Sequence, residues 1–301
     1  KKVQSCWASL FEPRAIFYRL QNKFDHFKVG IAVPVQKMIQ SETSGVMFTT
    51  NPVTQEKNRI VIEAIYGLGE MIVQGQATPD RYVIDKNSLE IISKDIFIQP
   101  IQLIKQGSKT KQYPIAQKIQ DKQKISDKRI VEIAKIGKKI QEHYFFPQDV
   151  EWSIEKEKVY IVQTRPITTL ETITLLADET RPRKTILQGT PASPGIATGK
   201  VKKIYHPKDI NKVITGDILV TTMTTPDFVP IMKKVAGIIT DKGGQTSHAA
   251  IVSRELGVPC IVGTGNATKL LKDGQYVTLN GKTGEVYHPL PLLKTSIMSS
   301  L

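Results

Sequence analysis

One of the five histidines in this 301-residue chain, His248, follows a glycine-rich turn and begins a segment with helical spacing. The first turn of a helix carries free N–H groups and the positive end of the helix dipole, which attract phosphate and disfavour a charged imidazole. A neutral imidazole nitrogen can attack phosphorus and form a covalent phosphoramidate. The sequence therefore predicts that His248 is a catalytic residue that accepts a phosphoryl group.

Two glycines and two hydroxyl residues precede this histidine: Gly243, Gly244, Thr246 and Ser247. The glycines allow the backbone to approach an oxyanion closely, and either hydroxyl can cap the helix and donate to a phosphoryl oxygen. The alternative is a helix-capping turn in which His248 is a bystander. A metal role for the histidine is not favoured, because no second ligand lies at a suitable spacing.

A second set of polar residues lies on two predicted strands, DVEWSIE and KVYIVQTR. Glu151 and Gln163 can face each other across these strands, and oxygen ligands of this kind suit Mg²⁺ that bridges phosphates. Arg165 projects to the same face as Gln163, where a guanidinium can clamp phosphate. The alternative is an ordinary surface salt bridge between Glu151 and Arg165.

The stretch GGQTSHAAIVSRELGVPCIVG resembles the phosphohistidine, or swivelling, domain of the phosphoenolpyruvate-utilising enzymes. This family includes phosphoenolpyruvate synthase, pyruvate phosphate dikinase, enzyme I of the sugar phosphotransferase system and rifampicin phosphotransferase. The resemblance extends over residues 190–288 and implies that His248 is the phosphorylated histidine. The sequence departs from the family at Gln245, where Arg or Met is frequent, and this departure implies altered contacts with the phosphoryl group.

The first part of the chain resembles the nucleotide-binding domain of phosphoenolpyruvate synthases, which is an ATP-grasp domain. The resemblance lies in SGVMFTTNP, EAIYGLGEMIVQGQATPDRYVID and QDVEWSIEKEKVYIVQTRPI. It implies ATP as a substrate and Mg²⁺ as a cofactor. Glu151 and Gln163 are implied at the metal and the phosphates, and Arg165 is implied at the phosphates.

The same resemblance implies residues at other parts of the nucleotide. The segment VQKMI resembles the strand beside adenine, which makes Gln36 and Met38 candidates for nucleotide binding. Glu63 is implied at the ribose side.

The order of nucleotide-binding domain, linker and swivelling domain excludes enzyme I, which lacks the ATP-grasp unit. The resemblance implies an ATP-dependent phosphotransferase with paired acceptors, of the pyruvate, water dikinase type. In the full-length enzyme, ATP, pyruvate and water would give AMP, phosphoenolpyruvate and phosphate through a phosphohistidine intermediate. The chain is also expected to be truncated at both ends, without the C-terminal barrel that would bind pyruvate, and to be incomplete alone.

Other members of the family remain alternatives, because His248 would serve each of them. A pyruvate phosphate dikinase would use inorganic phosphate as a co-substrate, and a rifampicin phosphotransferase-like enzyme would use an antibiotic as the acceptor. An alternative of another class is a non-catalytic phosphocarrier or regulatory remnant that a partner phosphorylates.

These features predict an α/β (α+β) fold, in which a partial ATP-grasp domain is followed by a β/β/α swivelling domain. The predicted boundaries are 1–168 for the first domain, 169–185 for a linker, 186–290 for the second domain and 291–301 for the start of a connection to the barrel. The linker would let the second domain visit two distant sites.

Hydrophobic periodicity predicts the elements that position these residues. Helical spacing runs over 6–20 and 126–144, and a further helix follows His248 and ends at Gly257. In the first domain, strands are predicted at KVGIAVPVQKMI (28–39), SGVMFTTNP and RIVIEAIYG, and a hairpin is predicted around Asn87. In the second domain, short strands are predicted at GKVKKIY, DILVTT, AGIITD, CIVGT, QYVTLN and GEVYH.

The formal net charge of +14 raises the question of an anionic partner. The Lys residues of 101–145 are spread between Ile and Gln rather than interleaved with aromatic residues, so a solvated surface is favoured and no nucleic-acid partner is expected. No apolar run reaches the roughly 18 residues that span a bilayer, and the two cysteines form no disulfide framework. We therefore expect a cytoplasmic protein without a membrane partner, and a homo-oligomer of the parent enzyme is left open.

Overall fold

The computed structural model describes residues 1–21, 23–107, 109–167 and 185–289. Residues 1–38 and 39–301 form two compact units, and each is described by itself. The predicted linker at 169–185 and the predicted connection at 291–301 lie outside the described residues, except for Thr185, which begins a strand. The predicted domain boundaries therefore stay predictions.

The N-terminal unit contains two short helices, α1 (Lys2–Ala8) and α2 (Pro13–Gln21), which a 3₁₀ turn connects. The helical segment predicted over 6–20 is therefore divided. Proline explains the division, because Pro13 has no N–H to continue the preceding helix and disfavours helical backbone at Glu12, whose ψ is 146°. The same proline is well tolerated at the first position of α2.

Residues 28–39, predicted as a strand, form no strand in the structure, so this prediction was wrong. Apolar alternation alone does not make a strand, because the backbone of a strand needs a neighbour to pair with. Within the described part of residues 1–38, no strand lies alongside this segment. Val35 is accordingly 88% exposed, and Pro34 lacks a backbone donor.

The second unit begins with a six-stranded antiparallel sheet and its covering elements. In chain order these elements are β1 (Thr43–Phe48), β2 (Arg59–Tyr66), α3 (Glu70–Val73), β3 (Asp80–Asp85), β4 (Ile91–Asp95), β5 (Ile101–Gln106), β6 (Lys109–Pro114), α4 (Asp127–Tyr144), β7 (Gln148–Glu155) and β8 (Lys158–Pro166). The strand order in the sheet is β4-β3-β2-β1-β7-β8, and β5 and β6 form a separate two-stranded ribbon. The strands predicted here and the hairpin around Asn87 are confirmed.

The long helix α4 confirms the helix predicted over 126–144. Its apolar side, which includes Ile130 and Ile133, packs with Met47 and Trp152 in one buried cluster. Gly137 allows the helix to approach the sheet closely, since a Cβ at this position would lie 2.4 Å from the sulfur of Met47. This packing holds the sheet that carries β7 and β8.

The ribbon of β5 and β6 was not predicted, although it lies in the Lys-rich stretch. Its two strands bury one side chain, Leu103, so the alternation that marks a half-buried strand is weak. Lys109 and Lys111 on β6 are exposed, which agrees with the interpretation of this stretch as a solvated surface.

Residues 185–289 form an eight-stranded mixed sheet with three short helices. In chain order these elements are β9 (Thr185–Gln188), β10 (Thr190–Ser193), β11 (Ile196–Lys203), β12 (Ile218–Thr221), α5 (Val229–Met232), β13 (Gly237–Thr240), α6 (His248–Leu256), β14 (Cys260–Val262), α7 (Ala267–Leu270), β15 (Tyr276–Asn280) and β16 (Glu285–Tyr287). The strand order is β10-β14-β13-β12-β11-β15-β16-β9, with parallel pairing from β11 through β14.

The six strands predicted for this region and the helix after the histidine are confirmed, whereas β9, β10 and α7 were not predicted. Two hydrophobic clusters form the core, one with side chains of α5 and α6 and one with Ala267 of α7. The fold class is thus confirmed as a mixed α/β structure with several sheets. In the part of the chain that the structure describes, no helix has the length and apolar character that a bilayer crossing needs.

Candidate functional site

His248 is the first residue of α6 and lies at the end of the loop that follows β13. Gly257 ends the helix in the left-handed conformation, with φ of 66°, as the sequence predicted. The Nδ1 atom of His248 lies 2.8 Å from the hydroxyl oxygen of Thr224. In the tautomer that leaves a lone pair on Nε2, Nδ1–H donates to this oxygen, so Nε2 is the nitrogen that can accept a phosphoryl group.

The environment of His248 favours the neutral imidazole. Burial lowers the pKa of His248 below its ordinary value, and the nearby carboxylate of Asp227 opposes this effect. A neutral ring carries the lone pair that nucleophilic attack on phosphorus requires. The lowered pKa therefore favours the neutral form that the predicted chemistry needs.

Thr224 was not among the predicted site residues. It lies in the segment TTMTTPDFVPIM, between β12 and α5. Its side chain is almost fully buried, at 3% exposure, and its hydroxyl meets the imidazole. A buried hydroxyl beside a reactive ring could not be located from sequence spacing, because the loop after β12 and the start of α6 are brought together only by the fold.

The glycines of the histidine loop have steric reasons to be glycine. Gly243 has φ of 111°, and a Cβ there would lie 2.9 Å from Cβ of Ser247. A Cβ at Gly244 would lie 2.6 Å from a carboxylate oxygen of Glu63. The Ser247 hydroxyl donates to the carbonyl of Gly244 at 2.8 Å rather than capping α6. Phosphoryl contacts by these residues stay predictions.

Glu63, which the resemblance implies at the ribose side, lies instead against the histidine loop in this structure. The backbone N–H of Gln245 donates to one carboxylate oxygen at 2.5 Å, and the hydroxyl of Thr246 donates to the other at 2.6 Å. Glu63 is fully buried. A contact with ribose would require the loop to leave, and the ribose role stays a prediction.

Gln245, at which the sequence departs from the family, directs its side chain into its own domain. Its Nε2 donates to the carbonyl of Pro191 at 3.0 Å. The side chain is fully buried, so in this arrangement it offers no exposed group to a phosphoryl ligand. The predicted effect of Gln245 on phosphoryl contacts stays a prediction.

The predicted pair Glu151 and Gln163 is confirmed as a facing pair on β7 and β8. Arg165 lies two residues further along β8, and its Nε donates to the carboxylate of Asp149 at 2.9 Å. The salt bridge considered between Glu151 and Arg165 is thus made with Asp149 instead. The pKa of Glu151 is raised by burial and by the charge of Asp149, and Arg165 opposes the shift.

The donors at β7 and β8 fit the chemistry of Mg²⁺. Glu151 offers a carboxylate, and Gln163 offers a side-chain amide oxygen on the exposed edge strand. Among the described residues, no group of three or more His, Cys, Asp or Glu side chains could hold a metal ion by itself. A pair of protein oxygens suits Mg²⁺, which commonly takes its other ligands from water and substrate phosphates.

Arg254 of α6 joins the histidine loop to the six-stranded sheet. Its guanidinium donates to the carbonyls of Ala192 and Gln245 at 2.8 and 2.7 Å, and it lies 5.8 Å from the ring of Phe48 on β1. The sequence analysis did not identify this residue, and the available signal was one basic side chain in the helical segment AAIVSREL.

Residues 1–184 match the family model described as pyruvate phosphate dikinase, AMP/ATP-binding domain. The chain belongs to this family. Residues 213–284, which include His248, match a second model, described as PEP-utilising enzyme, mobile domain. The two matches follow each other along the chain in the order that the sequence predicted.

The chain is also similar to curated proteins of this kind. It is 52% identical over 296 residues to the probable phosphoenolpyruvate synthase of Pyrococcus horikoshii, a match that covers 95% of this chain and 36% of that protein. It is 53% identical to the probable phosphoenolpyruvate synthase of Archaeoglobus fulgidus, over 95% of this chain and 38% of that protein. The chain thus spans little more than a third of the length of these relatives.

In this member of the pyruvate phosphate dikinase AMP/ATP-binding family, two predicted nucleotide-binding residues lie in the N-terminal unit. Gln36 and Met38 belong to the segment that forms no strand, and both are exposed. The structure therefore gives them no strand from which to contact adenine, and their role stays a prediction.

Proposed function

We propose that His248 accepts a phosphoryl group from ATP and that the domain of residues 185–289 carries it to pyruvate. The observation that carries this proposal is the hydrogen bond between Thr224 and Nδ1 of His248, at 2.8 Å. It leaves Nε2 as the reacting nitrogen of a ring that burial keeps neutral. The family match and the names of the similar proteins support the donor and the acceptor.

The proposed architecture is the C-terminal part of an ATP-grasp domain followed by a swivelling phosphohistidine domain. The six-stranded sheet with Glu151 and Gln163 on neighbouring strands supports the first assignment. The mixed sheet with α6 beginning at the histidine supports the second. We assign pyruvate binding to a part of the parent protein outside this sequence, because the similar synthases are much longer than their match to it.

In the proposed reaction, the lone pair of Nε2 attacks the β-phosphorus of ATP, and the bond between that phosphorus and the oxygen bridging to the α-phosphate breaks. AMP leaves with the bonding electrons. Water then takes the terminal phosphate, which leaves one phosphoryl group on the imidazole. The enolate oxygen of pyruvate, formed by loss of a methyl proton, takes this group, and Nε2 recovers its lone pair.

The side chains at β7 and β8 have defined parts in this scheme. Glu151 and Gln163 would hold Mg²⁺, which supplies charge neutralisation at phosphate oxygens. Arg165 is half-exposed beside them and binds phosphate through its remaining guanidinium donors. Asp149 orients Arg165 by accepting from its Nε.

The test is transfer of label from ATP that is radioactive at the β-phosphate, in the presence of Mg²⁺. We expect acid-labile, base-stable label on the wild type and none on His248→Ala. The matched control is His206→Ala, which removes an exposed histidine of the same domain and should keep the label. Label that persists on His248→Ala would contradict the proposed acceptor. A protein that binds ATP yet takes no label would favour a phosphocarrier that a partner phosphorylates.

A further inference from the structure

The carboxylate of Glu63 connects two parts of the chain that are far apart in sequence. Glu63 lies on β2, in register with Val46 of β1 and Arg81 of β3. Both of its oxygens accept hydrogen bonds from the histidine loop, one from the N–H of Gln245 and one from the hydroxyl of Thr246. One side chain of the six-stranded sheet therefore binds the loop through two hydrogen bonds.

A buried carboxylate at this position is not required by the strand itself. The residues next to Glu63 along β2 are Ile62 and Ala64, and both are fully buried. A buried charge is costly unless it is paired and hydrogen-bonded, and the two hydrogen bonds of Glu63 go to the loop. These two bonds, together with the nearby charges of Arg81 and Arg254, offset the cost of burying the acid, and both bonds break if the loop moves away.

The fit between loop and sheet depends on positions that lack side chains. A Cβ at Gly244 would lie 2.6 Å from both Glu63 and Pro79, and a Cβ at Gly263 would lie 3.2 Å from Thr78. Gly75, just before these residues, faces Ser247 in the same way at 3.4 Å. The loop thus lies directly against Glu63 and the connection that precedes β3, which brings the donors of Gln245 and Thr246 within reach of the carboxylate.

The same contact is linked to the reactive histidine. Thr246 lies two residues before His248, and the carbonyl of Gln245 accepts from Arg254 on the helix that His248 begins. The guanidinium of Arg254 lies over the ring of Phe48, which is in register with Asp149 beside the predicted phosphate site. The orientation of α6 against the sheet therefore depends on the loop that Glu63 holds.

We propose that Glu63 is a positioning residue that holds the histidine loop against the six-stranded sheet for phosphoryl transfer from ATP to His248. This inference rests on the proposed function, because it assigns the arrangement seen here to the ATP side of the reaction. Transfer to His248 from a small donor in solution needs no contact with the sheet. Loss of Glu63 should therefore slow the transfer from ATP to His248 and leave the transfer from a small donor to His248 unchanged.

Glu63→Val is the informative variant, because valine suits a buried strand and removes both acceptors. Glu63→Gln keeps the length and one acceptor oxygen, and its effects should lie between wild type and Glu63→Val. The control is Asp85→Asn, which removes the same charge from the adjacent strand β3. The carboxylate of Asp85 pairs with Arg59 of β2 and accepts from the N–H groups of Asn87 and Ser88, all of which lie outside the histidine loop.

The first measurement is amide hydrogen exchange of this chain, followed in a peptide over residues 243–250 and in a peptide over β2. We expect exchange in the loop peptide to rise at least about tenfold in Glu63→Val, with no change over β2 and no change in Asp85→Asn. Unchanged protection of the loop in Glu63→Val would overturn the proposed contact.

The second measurement compares two phosphoryl donors to His248. With ATP, we expect the rate at saturating concentration to fall at least about tenfold in Glu63→Val, with the dissociation constant for ATP unchanged. With phosphoramidate, whose ammonia is displaced by Nε2, we expect wild-type rates. A weaker affinity for ATP with an unchanged saturating rate would overturn the proposal in favour of the ribose role. Equal slowing with both donors would overturn it in favour of a defect at His248 itself.

The failure of the proposed function is distinguishable from the failure of this inference. A wild type that phosphoramidate labels at His248 but ATP does not would overturn the ATP reaction and, with it, the positioning role. Loop protection that depends on Glu63 would in that case still establish the contact. Loss of label from ATP in Glu63→Val, restored in part in Glu63→Gln, supports the positioning role.

Discussion

Replacing Thr224 by valine tests the orientation of His248 most directly. The substitution keeps the shape of the side chain and removes the oxygen that lies 2.8 Å from Nδ1. A buried polar group that loses its hydrogen-bond partner costs about 1–3 kcal/mol. Because His248 is only half-buried, we expect a cost of about 1–2 kcal/mol for the loss of this bond. If this hydrogen bond is needed to aim Nε2, the rate of phosphorylation should fall roughly fivefold to thirtyfold.

The assay is the initial rate of label transfer from β-labelled ATP to this chain at saturating ATP. Thr225→Val is the matched control, because this adjacent threonine makes no side-chain capping bond to the helical turn that follows it. Thr224→Ser restores a hydroxyl and should recover most of the rate. The reasoning would be refuted by a rate within about twofold of wild type in Thr224→Val, or by an equal loss in Thr225→Val.

Three further predictions follow from the same geometry. Because burial lowers the pKa of His248, its ring should titrate below the ordinary value of 6.5 in NMR spectra, and titration at or above 6.5 would contradict this. The stability of the fold should also fall as the pH drops from 6.5 towards the lowered pKa, because over this range the unfolded chain binds a proton that the folded chain does not. Glu151→Gln should weaken the Mg²⁺ dependence of ATP binding measured by calorimetry, whereas Glu155→Gln on the same strand should not, and equal effects would exclude a specific metal role. Gly45→Ala should lower the free energy of unfolding, measured in urea, by about 3 kcal/mol, because the added Cβ would lie 1.8 Å from the carbonyl oxygen of Glu63. The control is Gly30→Ala, whose Cβ would have no atom within 4 Å. Similar stability of the two variants would contradict the packing argument.

Local patterns predicted the elements whose own residues determine them. The helix α4 and the strands β7 and β8 carry regular apolar periodicity, and the structure confirms all three. The facing of Glu151 and Gln163 could be predicted for the same reason, since a short antiparallel connection fixes which residues are opposite. The bend at Lys156 and Glu157, both with positive φ, makes this connection.

Contacts between distant segments could not be predicted from spacing. Thr224 meets His248 only because β12 and β13 are parallel neighbours whose following loops lie at the same edge of the sheet. The strand predicted over 28–39 was wrong for a related reason. Its apolar alternation is typical of a strand, but the sequence does not show whether a neighbouring strand is present to pair with it. Glu63 is a further example of a distant contact. The family resemblance implied that it lies at the ribose side, and nothing in the sequence indicated that a loop 182 residues away donates to its oxygens.

The six-stranded sheet carries carboxylates in two different environments. Asp149 and Glu151 lie next to the edge strand, beside Arg165 and Gln163, which form the proposed phosphate and metal site. Glu63 lies in the centre of the same sheet, and burial raises its pKa while the bonds from Thr246 and Gln245 oppose the shift. The charges of Arg81 and Arg254 also lower the pKa, and the two bonds add to this effect only while the loop lies against Glu63. Such a reversible contact suits the proposed role of His248, which would receive its phosphoryl group at the sheet and then move away from the sheet.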